Sequence, residues 1–309
     1  MVQYNTSFAQ TNLVSNPSFE DIDSCYGGPS GLGFDVFQWS GCTDWRNPAY
    51  GSSDLWCPVG MSPPNVLGFY QYPRTGSNMS GIFIVEQLAL TYREYIQNKL
   101  LTPLKSNKYY EISFYVNSAD TFNYTSDIGI YFSNNVVSQP TTYTNLPYIP
   151  QVINPINNFI TDTLGWQKIS GIYKAIGGEE YITIGCFNDS SKIILSNYDS
   201  ITAGGVYLFV DDFSIFEIPV QLNIPNTFSP NNDGNNDVFF PDILNISNWS
   251  CDIFNRWGIK IVELSENNNY WDGRTTDGKT CNDGVYFYVF SAKVNEKQIN
   301  EKGFIQLLR

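Results

Sequence analysis

NTFSPNNDGNNDVF, running from Asn226 to Phe239, packs Asn, Asp, Gly and Pro between two short apolar runs at 221–225 and 238–240. Gly tolerates positive φ, Pro presets φ, and Asx side chains hydrogen-bond their own backbone, so this composition closes turns between strands. Further short runs follow at 249–254, 259–264, 284–294 and 298–308. About seven short strands in so few residues predict a small Ig-like β-sandwich.

Working back from that module, the remaining chain also reads as β-structure. Of 309 residues, 16% are aromatic and only 15% charged, and β-branched or aromatic runs alternate with Asn, Gly, Pro and Ser. The fold class is all-β, and the length accommodates two domains. Candidate strands of the first domain lie at 109–116, 127–132, 166–173, 181–187 and 206–216. The segment 82–101 fits a helix or two strands, and its Tyr and Ile content favours strands. Residues 24–81 are too irregular for regular elements and too aromatic for disorder, so they read as ordered loops. Pro219 marks the passage between domains, near residues 218–224.

Charge and composition exclude several functions. A net charge of −13 argues against nucleic acid, which needs clustered Lys and Arg, and against anionic membrane surfaces. No apolar run reaches the ~20 residues of a membrane-spanning helix, so neither domain is membrane-embedded. The chain has no His, leaving carboxylates as the general acids and bases available. Glu179 and Glu180 are adjacent, but neighbours on a strand point to opposite faces, so they do not form a glycosidase pair. By the same alternation Arg93 and Glu94 read as a solvated face plus one satisfied partner rather than a ligand clamp.

The 6 Cys include no CxxC pair, which favours disulfides in an oxidising compartment over metal binding. Cys251 and Cys281 are the two cysteines of the C-terminal segment and are expected to bond each other. Cys25, Cys42, Cys57 and Cys186 allow several connectivities, and Cys186 reads equally well as a buried free thiol. The opening MVQYNTSFAQ carries Ser7-Phe8-Ala9, which has the small-x-small form of a signal-peptidase site. Residues 1–10 are therefore either a residual signal-peptide end or a disordered arm.

After the opening stretch come IFNRWG (253–258), WDG (271–273), DGVYFYVF (283–290) and the terminal KGFIQLLR. In this order they resemble the gliding-motility-associated C-terminal domain, the type B sorting signal of the Bacteroidota type IX secretion system, over residues 222–309. The resemblance implies a non-catalytic module recognised by the outer-membrane secretion machinery, and a protein delivered to the outer cell surface. Within it, Asn231, Asp233, Asn235 and Asp237 alternate around Gly234, as calcium ligands do in a loop or as residues do in an ordinary Asx turn. An EF-hand register would begin at Ser229 and end at Phe240, neither of which is a carboxylate. Trp257, Trp271 and Tyr286 are expected in the core.

The first domain, residues 11–218, opens with NLVSNPSFED (12–21) and closes with YLFVDDFSIFE (207–217). These ends resemble jelly-roll carbohydrate-binding and galactose-binding-like modules. The resemblance implies a structural calcium held by Glu20 with Asp211 or Asp212. REYI (93–96) and GGEEYITIGCF (177–187) resemble an uncharacterised Bacteroidota surface domain and imply lineage rather than activity. A glycan site would stack sugar faces on Trp39, Trp45, Trp56, Tyr70 and Tyr72, although packing within the loops is the alternative for those rings. Asp162-Thr163-Leu164 and Asp199-Ser200-Ile201 fit an O-glycosylation pattern of exported proteins. The combined expectation is a non-catalytic surface protein with a glycan-binding jelly roll. The alternatives are a structural or adhesive role through protein contacts and, after that, a carboxylate-based glycosidase.

Overall fold

The computed structural model describes residues 2–5, 10–23, 42–49, 51, 53–58, 71–86, 91–119, 123–139, 144–196, 205–294 and 297–309. Among them there is no helix. In chain order the strands are β1 (Val2–Asn5), β2 (Trp45–Arg46), β3 (Asp54–Trp56), β4 (Met79–Val85), β5 (Tyr95–Lys99), β6 (Tyr109–Ser118) and β7 (Tyr124–Thr125). Next come β8 (Gly129–Ser133), β9 (Val152–Ile153), β10 (Gln167–Lys174), β11 (Tyr181–Gly185), β12 (Leu195–Ser196) and β13 (Val206–Glu217). The last are β14 (Gln221–Ile224), β15 (Thr227–Phe228), β16 (Asp242–Leu244), β17 (Ser250–Phe254), β18 (Lys260–Ser265), β19 (Gly284–Val294) and β20 (Lys297–Leu307). The chain divides into a unit of residues 10–217 and a second of residues 218–309 together with 1–9.

The first unit is a jelly roll of two five-stranded sheets, ordered β10-β6-β13-β4-β3 and β2-β5-β11-β8-β9. Its long strands β4, β5, β6, β8, β10, β11 and β13 alternate between the sheets, so each successive connection crosses the sandwich. Ile82, Ile84, Phe114, Val116, Leu208 and Val210 of one sheet share a core with Ile96, Ile130, Phe132, Ile182 and Ile184 of the other. The segment 82–101 contributes β4 and β5, as its β-branched content predicts.

Outer faces are covered as well, because loops carry aromatics back over them. Tyr207 and Phe209 pack outward with Trp56, Met79 and Ala119. Across that face the Asp54 carboxylate accepts a 2.6 Å hydrogen bond from the Tyr207 hydroxyl, which in turn accepts one from Trp56 Nε1 at 3.0 Å. Gly81 lies beneath, where a Cβ would sit 1.9 Å from the Tyr207 hydroxyl oxygen. Burial pushes Asp54 up to about 6, while the Tyr207 hydrogen bond pulls it down. A carboxyl whose pKa is higher folded than unfolded binds more protons when folded, so its contribution to stability is lost as pH rises from about 4 to about 6. Asp54→Asn should remove a pH-dependent component on the order of 2–3 kcal/mol across that window. Urea unfolding of wild type and variant at several pH values tests this, and parallel pH profiles would refute it.

The second unit is a smaller sandwich of a three-stranded sheet, β1-β14-β16, and a five-stranded sheet, β15-β20-β19-β17-β18. β1, within the segment expected to be a signal-peptide end or an arm, pairs antiparallel with β14 from Val2↔Ile224 to Asn5↔Gln221. Leu222, Ile224, Phe228, Ile253, Leu264, Phe290 and Ile305 form the core. Trp271 joins them as expected, 5.1 Å from Phe228 and 4.9 Å from Tyr286 between ring centroids. Trp257 does not: it is 80% exposed. It sits on the turn between β17 and β18, where Asn255 Oδ1 accepts the Trp257 and Ile259 N–H groups, so no inward alternation reaches it. The run at 238–240 forms only a bridge between Phe239 and Trp271.

The expected Cys251–Cys281 disulfide is absent, since both are buried free thiols. Cys251 pairs with Phe290 across β17 and β19. Cys281 instead interacts with Tyr286, four residues down β19 and therefore roughly 13 Å along the strand, beyond disulfide reach. Cys42 and Cys186 are also buried and free, and Cys57 is disulfide-bonded. Burial pushes Cys42 and Cys251 up to about 12 and Cys186 to about 11, which keeps these thiols protonated and unreactive.

Candidate functional site

On the outer face of the second jelly-roll sheet, Tyr95 of β5, Gly185 of β11 and Gly129 of β8 lie in register. Gly185 has φ +153° and a Cβ there would sit 2.4 Å from the Tyr95 ring, so glycine lets that ring lie across the strand. The Tyr95 hydroxyl donates to the Cys186 carbonyl at 2.5 Å and accepts the Leu146 N–H at 3.0 Å. This ties the 144–150 segment over the sheet, and burial pushes the phenol well above its ordinary pKa. Tyr148 from that segment stacks on Tyr131 of β8, with centroids 4.6 Å apart and planes 12° apart. Phe187 packs 5.4 Å from Tyr95, and its carbonyl accepts Asn145 Nδ2 at 2.9 Å.

The result is a cleft of about 280 Å³ whose wall includes Tyr148, Phe187, Asn145, Asn188, Asp189 and Lys192. Rings beside amide and charged rims suit a ligand with apolar faces and many hydroxyls. Its carboxylates are occupied. Asp127 accepts from Asn188 Nδ2 at 2.9 Å and the Ile194 N–H at 2.7 Å, and Asp189 accepts from Ser191 and pairs with Lys192 at 3.2 Å. Hydrogen bonds from Ser191 and Lys192 hold Asp189 below its ordinary range.

The strings REYI and GGEEYITIGCF thus form the cleft's supports. Arg93 and Glu94 are both buried rather than on a solvated face. Glu94 accepts the Phe83 N–H and the Tyr92 hydroxyl, and Arg93 donates to the Tyr92 carbonyl. Glu179 is buried against the Tyr173 hydroxyl and the Ile176 and Gly177 N–H groups, while Glu180 faces Lys99, so the pair diverges as expected.

Of the aromatic residues expected to stack on sugars, Trp45, Trp56 and Tyr72 do not line this cleft. Trp45 is 4% exposed between Phe19 and Phe213, with Nε1 bonded to the Asn16 carbonyl at 2.8 Å. Trp56 is 3% exposed and held by Tyr207. Tyr72 is 56% exposed, beside Trp166, whose Nε1 donates to its carbonyl at 3.3 Å. Trp39 and Tyr70 lie outside the described residues, as does Asp199-Ser200-Ile201. Asp162-Thr163-Leu164 forms a turn whose Asp162 carboxylate accepts the Leu164 and Gly165 N–H groups.

Glu20, Asp211 and Asp212 gather around the turn at 74–78. Glu20 Oε1 accepts the Ser77 and Asn78 N–H groups at 2.9 and 2.8 Å. Asp211 accepts the Arg74 N–H at 2.8 Å and the Asp212 N–H at 2.7 Å. Asp212 accepts the Ser18 and Thr75 hydroxyls and pairs with the Arg74 guanidinium. Burial and the Asp212 charge push Asp211 up to about 8. Burial raises Asp212 too, but the bonds from Ser18, Thr75 and Arg74 outweigh it and leave it below its ordinary range. These residues do not fit calcium. Their oxygens face N–H, O–H and guanidinium donors, and among the described residues no three acidic, His or Cys side chains converge as a metal site.

Asn231, Asp233 and Asp237 make Asx-type bonds to the backbone of their own loop, which includes Asn235. Asn231 Oδ1 accepts the Asp233 N–H at 3.0 Å, Asp233 Oδ1 the Asn235 N–H at 2.7 Å, and both Asp237 oxygens accept N–H groups, from Asn232 and Gly234. The loop is exposed and closed on itself.

The chain is thus a two-sandwich, all-β protein whose C-terminal unit is separate from the cleft-bearing one. Residues 222–307 match the family model described as the CHU_C type IX secretion signal domain. That segment is a type IX secretion signal domain. The protein is secreted and attached at the cell surface, and interaction with the type IX machinery follows from the domain. No curated protein matches the chain.

Among solved structures, the K2 cleaved adhesin domain of Lys-gingipain is similar at TM-score 0.34 and 13% identity, over 68% of this chain and 98% of that one. The CBM22-1–GH10 modules of Clostridium thermocellum xylanase 10B, complexed with xylohexaose, give 0.35 and 12%, over 67% and 28%. The adhesin domain of Epf from Streptococcus pyogenes gives 0.30 and 12%, over 74% and 76%. Similarity at these values carries no argument about ligands.

Proposed function

We propose that the jelly roll is a non-catalytic glycan-binding module displayed at the cell surface by the C-terminal signal domain. The observation that carries this reading is the cleft over β8 and β11, with the Tyr131–Tyr148 stack and Phe187 beside Asn145, Asn188 and Lys192. The lack of His and the internal use of Asp127 and Asp189 leave the cleft without an evident acid–base pair. Type B sorting belongs to the same reading.

Tyr148→Ala should weaken glycan affinity by about tenfold or more, the worth of a stacked ring plus its area, while thermal unfolding stays near wild type. A glycan array followed by calorimetry measures both. Unchanged affinity in the variant would remove the cleft from the proposal. A blank across polysaccharides would favour adhesion through protein, for which the exposed Ile149 and Ile153 beside the cleft are the relevant surface.

A further inference from the structure

The cluster around residues 74–78 joins three distant parts of the jelly roll: the opening segment through Ser18 and Glu20, the last strand through Asp211 and Asp212, and the turn itself. Three carboxyl groups approach one turn there, and the ionised Asp212 calls for a positive partner. Arg74 brings one. Its guanidinium pairs with Asp212 and lies 3.4 Å from the centroid of the Tyr115 ring, on the neighbouring β6.

The rest of the turn is shaped to the same end. Its backbone N–H groups at 74, 77 and 78 all point into carboxylates, and Asn78 Nδ2 donates to the Phe19 carbonyl at 2.8 Å. Gly76 has φ +62°, and a Cβ there would lie 2.3 Å from Glu20 Oε1, so the turn closes directly on that carboxylate. β13 is irregular between Asp211 and Ser214, and Asp212 takes φ +52°, so consecutive acidic residues both address the turn instead of facing opposite ways.

We infer that Arg74 occupies the electrostatic role that a structural calcium holds in the modules this domain resembles, locking the opening segment to the last strand without a metal. The planar guanidinium bonds a carboxylate and stacks on a ring at once, which an ammonium group does less well. The jelly roll therefore keeps its fold in cation-poor or chelating surroundings.

Thermal unfolding of the full chain, with excess chelator and with excess calcium chloride, tests this directly. The wild-type midpoint should move by less than about 1 °C in either condition, and Arg74→Met should lower it by about 3–6 °C, with Arg74→Lys in between. A wild-type midpoint that drops with chelator or rises with calcium overturns the inference, as does an Arg74→Met protein as stable as wild type. Should Arg74→Met fail to fold, the wild-type comparison and the Arg74→Lys value decide alone.

Discussion

Replacing Trp45 by Ala is expected to destabilise the N-terminal unit by about 3–5 kcal/mol, the range for deleting a buried indole. Trp45 touches Phe19 and Phe213 at centroid distances of 4.8 and 5.1 Å and donates to the Asn16 carbonyl, so its removal opens a cavity and leaves that carbonyl with the Phe19 N–H alone. Phe19 and Phe213 belong to the opening segment and the last strand, so the cavity falls where the two ends of the jelly roll meet. Urea unfolding of the full chain measures the loss. A variant within about 1 kcal/mol of wild type would show that the ring is a surface platform after all. A milder Trp45→Phe substitution separates lost area from the lost hydrogen bond.

Deleting residues 218–309 should abolish delivery to the cell surface, leaving the shortened protein behind the outer membrane. The segment removed contains the whole secretion signal domain, matched over residues 222–307. What remains has its own buried core, so loss of export need not reflect loss of folding. Protease shaving of intact cells reads surface exposure, and fractionation confirms where the remainder lies. Undiminished surface exposure of the truncated chain would mean that the address resides elsewhere. Because β1 pairs with β14, the deletion should also remove residues 1–9, which would otherwise leave a strand without its partner.

The two-sandwich architecture was legible because long strands are bounded by turn residues and because the C-terminal motifs come in a distinctive order. Two-residue strands such as β2 and β15 carry no periodicity to detect. Counting cysteines misled for Cys251 and Cys281, since number says nothing about level along a strand. Tryptophan density misled in a different way. Trp45 and Trp56 lie in a loop region rich in polar and turn residues, which suggested a display surface. Their large apolar area instead made them the anchors that hold those loops down.

The cleft was least visible. Tyr131, Tyr148 and Phe187 come from three separate segments, and it takes both the sheet register and the Tyr95 hydroxyl's hold on the 144–150 segment to bring them together. The available signal was Gly185, placed between apolar residues in a strand, which marks a close approach by another group. Similarly, Glu20 and the Asp211–Asp212 pair were recognisable as partners, but Arg74 was not, because nothing local in PRTGSN distinguishes a paired cation from a solvated one.

In the jelly roll, the Leu13 N–H bonds to the Ile215 carbonyl at 2.9 Å and Gln10 reaches the Glu217 carbonyl at 2.6 Å, so the first and last residues of the unit lie side by side. Mechanical load carried along a surface-tethered chain therefore enters and leaves this module at nearly one point. The β1–β14 ladder ties together the two strands just outside that entrance, so under shear its bonds are loaded first and tension need not travel through the strands that frame the cleft. A protein held against flow could stay stretched between its attachments while its recognition surface remains unstrained.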